Sequence, residues 1–235
     1  MVFPLYDENP LTKPVKPYVT WALILLNVVV FVFEIGSSEE GLRAMLATFA
    51  VVPAALTRGL AAGTLPPEAT LVTSMFLHGG WEHLLGNMVY LWVFGDDIEE
   101  ALGRVRFIVF YLFSGIFAAL CFIAFNAQST TPLIGASGAI SGVLAAYLMI
   151  RPCAKISVLV LRVVIRVRAF WVIGFWVVLQ MFLFAHAGAD DNVAYLAHLG
   201  GAVAGAALLL LLKPDGLRLF ACVGEPDSFG SIFGR

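Results

Sequence analysis

From Tyr18 to Phe33 the chain is almost uninterruptedly apolar, and the same character returns at Trp81–Ile98, Val105–Phe125, Ser137–Ile150, Phe170–Phe184 and Val193–Leu212. The runs are too long and too continuously apolar for half-buried strands, and a helix that is apolar all round belongs in a large core or in a bilayer. Six such segments predict an all-α polytopic membrane protein, a six-transmembrane-helix bundle. The first run follows a polar, proline-rich stretch, Met1–Pro17, carrying Lys13 and Lys16. It is long for a signal peptide and has no small-residue cleavage pattern after it, so it reads as the first span. The expected organisation is one membrane domain over residues 1–235, with 1–17 and 213–235 as cytoplasmic segments.

Composition agrees. The 235 residues are 60% hydrophobic and 13% charged, with a mean hydropathy of +0.92, outside the range of soluble domains. A net charge of -2 and the lack of basic clusters interleaved with exposed aromatics argue against nucleic acid as a partner. Cys121, Cys153 and Cys222 have no paired spacing and read as inert thiols.

Charge also orients the chain. With an even number of spans and a cytoplasmic start, twelve of the fourteen Lys and Arg residues fall inside, and only Arg43 and Arg58 fall outside. Five or seven spans would break that bias, so an integral location in a cell (inner) membrane with both termini cytoplasmic is expected. The segment Gly36–Thr70 becomes an outer loop whose Phe49, Val51, Val52 and Leu56 are apolar enough to lie on the membrane surface. The acidic run Asp96–Glu100 is expected to be a solvated inner loop.

Against this apolar background a few polar groups stand out, because such groups inside spans are costly and functional by default. Ser137 opens the fourth span in Gly135-Ala136-Ser137-Gly138, and the stretch Asn126–Gly135 before it must dip into the protein from the outer side. His198 lies about one turn into the sixth span, at similar depth. Gly138-x3-Gly142 and Gly201-x3-Gly205 follow these two residues, and small-xxx-small patterns let helix backbones approach closely. A hydroxyl and an imidazole within hydrogen-bond reach are what an activated serine nucleophile requires. His83 and Asn87, four apart on one face of the second span, are candidate donors to an oxyanion, together with the backbone N–H of Ser137. Asp190 and Asp191 are the acids nearest His198 in sequence, but they fall in the loop before its span, so a dyad fits better than a triad. Taken singly, the serine motif reads as close helix packing, His198 divides evenly between a hydrogen-bonded structural role and function, and His83 and Asn87 could simply bond across helices; the three together on the outer halves of three spans are hard to explain as packing.

The order His78-x4-His83-x3-Asn87, Gly135-Ala136-Ser137-Gly138 and Ala197-His198-Leu199-Gly200-Gly201-x3-Gly205 resembles the rhomboid intramembrane serine proteases, over nearly the whole chain. The resemblance implies a six-helix bundle with an outward-open aqueous cavity, cleavage of transmembrane or membrane-proximal segments of membrane proteins, and no metal or organic cofactor. It casts Ser137 as nucleophile, His198 as general base, His83 and Asn87 as oxyanion-stabilising side chains and His78 as structural. It further implies that substrate enters laterally beside the second and fifth spans, here near Trp171–Gln180. Two departures stand out. The Trp-Arg pair of many relatives is missing from Gly36–Thr70, and Ser141 occupies the place where an aromatic ring often stacks on the catalytic imidazole. The orientation of His198 must then come from elsewhere. Other classes of reading are a catalytically silent relative that binds client spans, and a metal-dependent protease or transporter using His78, Glu82, His83 and His198. The latter lacks the helical His-Glu-x-x-His pattern.

Overall fold

The computed structural model describes residues 2–7, 16–59, 65–160, 162–186 and 194–222. Strand β1 (Val2–Asp7) precedes helix α1 (Tyr18–Gly36), followed by the short helices α2 (Glu39–Phe49), α3 (Pro53–Arg58) and α4 (Thr70–Thr73). Helices α5 (Trp81–Leu102), α6 (Arg104–Phe125) and α7 (Ser137–Ile150) come next. A hairpin of β2 (Lys155–Val160) and β3 (Val163–Arg168) leads into α8 (Ala169–His186), and α9 (Tyr195–Leu212) follows. Among the described residues α1, α6, α8 and α9 are long and apolar enough to cross a membrane. The polar-tipped α5 and the 14-residue α7 complete the helical bundle. This is an integral, multi-pass membrane protein.

Close packing centres on α7, α6 and α9. A Cβ on Gly201 would run into the carbonyl of Gly138, and one on Gly205 into the backbone of Gly142. A Cβ on Gly138 would lie 2.6 Å from Ala118, and one on Gly142 2.6 Å from the Ser114 hydroxyl. The two small-xxx-small motifs thus place backbone against backbone, where any larger side chain would wedge the helices apart. Ser137 and His198, each within one turn of these contacts, are held at fixed separation.

Several features depart from the expectations above. The acidic run is no loop: Asp96–Glu100 lies within α5, and Asp97 and Glu99 are 3% and 1% exposed. Glu99 accepts hydrogen bonds from the N–H groups of Val19 (3.1 Å) and Thr20 (2.8 Å) and from the Thr20 hydroxyl (2.9 Å). A carboxylate satisfies the orphan donors at the start of α1 and complements the helix dipole, which explains its burial. Asp97 faces Arg151, with Nε 3.7 Å from its Oδ1.

Part of the segment after α1, around Val51, folds onto the protein. Val51 is fully buried beside Ala119, Ile123, Leu133 and Leu56, and its backbone pairs with Leu133 in both directions (3.2 and 2.7 Å). Ala54 N–H to Ser129 O, Thr57 Oγ1 to Ala127 O and Arg58 to Gln128 Oε1 extend the seam. These bonds anchor the loop to the stretch that leads into Ser137, in place of the absent Trp-Arg pair.

At the opposite end a three-stranded antiparallel sheet, in the order β1-β2-β3, adds a feature that the helical pattern did not predict. Tyr147 donates to Asp7 Oδ2 (2.6 Å), tying β1 to α7. Cys153 and Cys222, read from sequence as unpaired thiols, form a disulfide across 69 positions. Phe220 N–H bonds to Met149 O and folds the segment after α9 back onto the end of α7, a proximity that sequence spacing does not encode.

Candidate active site

The first half of α7 lines a cavity of about 990 Å³ at one end of the bundle. Gly135, with φ of +113°, turns the incoming chain so that Ser137 begins the helix. That angle suits glycine alone, and space enforces the choice as well, since a Cβ there would sit 2.6 Å from His83 Nε2 and 3.6 Å from Asn87 Nδ2. Because Ser137 is the first residue of α7, its N–H and those of the next two positions have no partner within the helix.

Ser137 Oγ and His198 Nε2 lie 2.9 Å apart. On its other side His198 Nδ1 is 2.7 Å from Gln180 Oε1, on α8. An amide oxygen only accepts, so Nδ1 carries the proton and the Nε2 lone pair faces the serine hydroxyl. Trp176, one turn before Gln180, brings its ring centroid within 6.0 Å of the imidazole at a tilt of 39°. Ser141, in the place of a stacking aromatic, turns away: its hydroxyl donates to Ser137 O at 2.7 Å.

His83 and Asn87 reach the same cavity from α5. The Gly79 N–H points at His83 Nδ1 (3.4 Å), which leaves the proton of a neutral His83 on Nε2, toward Gly135. Asn87 Nδ2 donates to His78 Nε2 (3.0 Å), using one amide hydrogen and keeping the second. His78 is buried, and burial together with the nearby His83 pushes its pKa down to about 4, so it stays a neutral acceptor at physiological pH. Its backbone N–H is held by the Glu34 carboxylate (3.2 Å to each oxygen), which ties the approach to α5 back to α1.

All four sequence-predicted site residues, Ser137, His198, His83 and Asn87, line this one cavity. Asp190 and Asp191 lie outside the described residues. The residue that sequence reasoning missed is Gln180. An amide in the middle of the apolar run Phe170–Phe184 was the available signal, by the same rule that singled out His198. Among the described residues no three His, Cys, Asp or Glu side chains converge as a metal-holding group.

Fold and site together define a helical membrane protein with a serine–histidine pair lining a cavity at one end of the bundle. The chain belongs to the rhomboid family: residues 68–215 match the Rhomboid domain. It is similar to presenilin-associated rhomboid-like protein A, mitochondrial, of Danio rerio, at 31% identity over 150 residues, 62% of this chain and 36% of that protein. Rhomboid-like protein 11, chloroplastic, of Arabidopsis thaliana is 32% identical over 167 residues, 63% of this chain and 54% of that protein. Rhomboid protease GluP of Bacillus subtilis is 32% identical over 136 residues, 57% of this chain and 25% of that protein. The matched region therefore spans from a quarter to about half of the length of these relatives.

Proposed function

We propose that this protein is an intramembrane serine endopeptidase that cleaves transmembrane or membrane-proximal segments of membrane proteins through a Ser137–His198 dyad. The observation that carries the reading is the 2.9 Å contact between Ser137 Oγ and His198 Nε2, at the base of a cavity lined with donors. Similarity to a protein named a rhomboid protease adds to it.

In this mechanism Ser137 Oγ attacks the substrate carbonyl carbon while its proton passes to His198 Nε2. The carbonyl oxygen becomes an oxyanion, met by the Ser137 N–H, His83 Nε2–H and the second Asn87 amide hydrogen. Collapse expels the leaving amine, which takes the proton from His198, and an acyl ester remains on Ser137. Water then repeats the sequence in reverse, with His198 as base, and frees the serine. A carbonyl locked in an intact helix is hidden from Oγ, so substrate has to unwind locally, and small or helix-breaking residues at the cleaved site are favoured. The basic-residue distribution supports residues 1–17 and 213–235 on the cytoplasmic side of a cell inner membrane, with the cavity opening outward.

Labelling of the purified protein with a fluorophosphonate probe tests the reading. Wild type is expected to label, and Ser137→Ala and His198→Ala are expected to lose both labelling and cleavage of a transmembrane substrate while staying folded. A folded wild type that neither labels nor cleaves supports a catalytically silent relative that binds client spans. Activity abolished by a chelator, with serine reagents inert, supports the metal-dependent class.

A further inference from the structure

We infer that Gln180 is the positioning residue for His198, a third member of the site supplied by α8 and held to the imidazole by the hydrogen bond between Nδ1 and Oε1. The catalytic consequence rests on the proposed peptidase reading; the positioning itself does not.

Three observations converge. First, α8 buries only Ala169, Ile173 and Gln180 of its 18 residues. Two of these are apolar and sit near the start of the helix. The third is a primary amide, 7% exposed, and a buried amide is costly unless its hydrogen bonds are made. Its acceptor oxygen is spent on His198 at 2.7 Å.

Second, apart from the Ser137 contact at Nε2, Ser141 of the serine helix adds no restraint on the ring. Ser141 Oγ donates to Ser137 O, so the place that an aromatic takes in many relatives offers the imidazole neither a ring nor a hydroxyl. The aromatic neighbour comes instead from α8, as Trp176, four residues before Gln180 and therefore on the same helix face. One face of α8 thus supplies both a ring and an acceptor.

Third, the chemistry needs this acceptor. A neutral imidazole without a partner at Nδ1 divides between two tautomers, and the one protonated at Nε2 cannot accept from Ser137. Oε1 at Nδ1 selects the productive tautomer and fixes the ring plane. An amide does so without bringing an anion into the membrane interior, where an ionised carboxylate would be costly. Because α8 is anchored by so few contacts, serine activation depends on its docking: a shift of about 1 Å takes a 2.7 Å contact beyond hydrogen-bond range.

The experiment uses the full chain in detergent micelles, with two independent readouts on wild type, Gln180→Leu and Gln180→Glu. Histidine nitrogen-15 NMR, with the His198 signals assigned by their loss in His198→Asn, reports the tautomer and needs no turnover. Wild type is expected to show a proton on Nδ1, and Gln180→Leu a mixture. The second readout is the fluorophosphonate labelling rate of Ser137 against pH. Gln180→Leu is expected to slow labelling about ten- to a hundredfold, below the full value of a general base. Gln180→Glu is expected to keep the tautomer and move the acid limb of the profile to higher pH, since a carboxylate beside the ring favours imidazolium. The other titratable groups lining this cavity, Glu82, His83 and Tyr90 of α5 and Tyr195 of α9, are unchanged across these variants.

A wild-type ring protonated at Nε2, or a tautomer unaltered in Gln180→Leu, overturns the inference, as does wild-type labelling by that variant. A folded wild type that shows the expected tautomer yet never labels sinks the peptidase reading and leaves the positioning role standing.

Discussion

Helices α7 and α8 both contribute to one site, yet they are held by opposite means. Of the 14 residues of α7, ten are buried, and glycines press its backbone against α9. Of the 18 residues of α8, three are buried, and a Cβ added to Gly174, near its middle, would meet nothing within 4 Å. Packing fixes Ser137, because a backbone-to-backbone contact has no slack. Beyond the apolar packing of Ala169, Val172, Ile173 and Trp176, the inner face of α8 meets the site through the Gln180–His198 contact, and such a contact can be remade after the helix moves. Dense packing thus lies where Ser137 Oγ and His198 Nε2 are 2.9 Å apart, and on the proposed peptidase reading loose packing lies where a bulky transmembrane substrate would pass.

The largest expected effect is at the tight contact. Gly205→Leu forces a side chain into the Gly142 backbone, which cannot yield as a side chain would. Overpacking typically costs about 1–3 kcal/mol, and opposition by backbone places this case at or above the upper end. We expect loss of the cooperative thermal transition and of fluorophosphonate labelling. Gly174→Leu on α8 is expected to leave both unchanged. Equal tolerance at the two positions would refute the contrast between the helices.

Next in size is the donor set on α5. Asn87→Ala is expected to lower kcat about 10²–10³-fold with little change in KM, the usual cost of one oxyanion donor. His78→Leu removes the acceptor that orients Asn87, so it should give a smaller loss of the same kind. If His78→Leu costs more than Asn87→Ala, its main role lies in holding the loop through its neighbours rather than in aiming the amide.

The same contrast separates what was legible in the sequence from what was not. Apolar runs and small-xxx-small spacing are local patterns, so the bundle, the α7–α9 contact and the approach of Ser137 to His198 could be read directly. Polar residues inside spans are conspicuous, which exposed His83 and Asn87. The acidic run in α5 was misjudged because its compensation is distant: Glu99 satisfies the start of α1, about 80 positions away in the chain. The seam from Val51 to Leu133, the Cys153–Cys222 disulfide and the β1–β2 pairing are likewise tertiary matches between segments with no shared local signature. Gln180 was overlooked for a different reason. Its polarity was visible, but nothing in the chain's order says that the fifth span turns that face toward the sixth.

The smallest effect is expected at Ser141, and its smallness sharpens the comparison. Its hydroxyl is bonded within its own helix, to Ser137 O, one turn back. That carbonyl also serves the helix ladder, so Ser141→Ala strands no buried group, and the net loss falls at the low end of the ~0.5–1.5 kcal/mol of an ordinary hydrogen bond. His198 keeps its partner on α8, and the tautomer is undisturbed. Ser141→Ala should therefore leave the pH dependence of labelling where it is in wild type and change the rate by no more than about threefold, within the ~1 kcal/mol scale of that bond. Measured beside Gln180→Leu under the same conditions, it separates the two helices' claims on the imidazole. A shifted acid limb in Ser141→Ala would mean that the hydroxyl turns to His198 in the working protein, and that α7, not α8, sets the base.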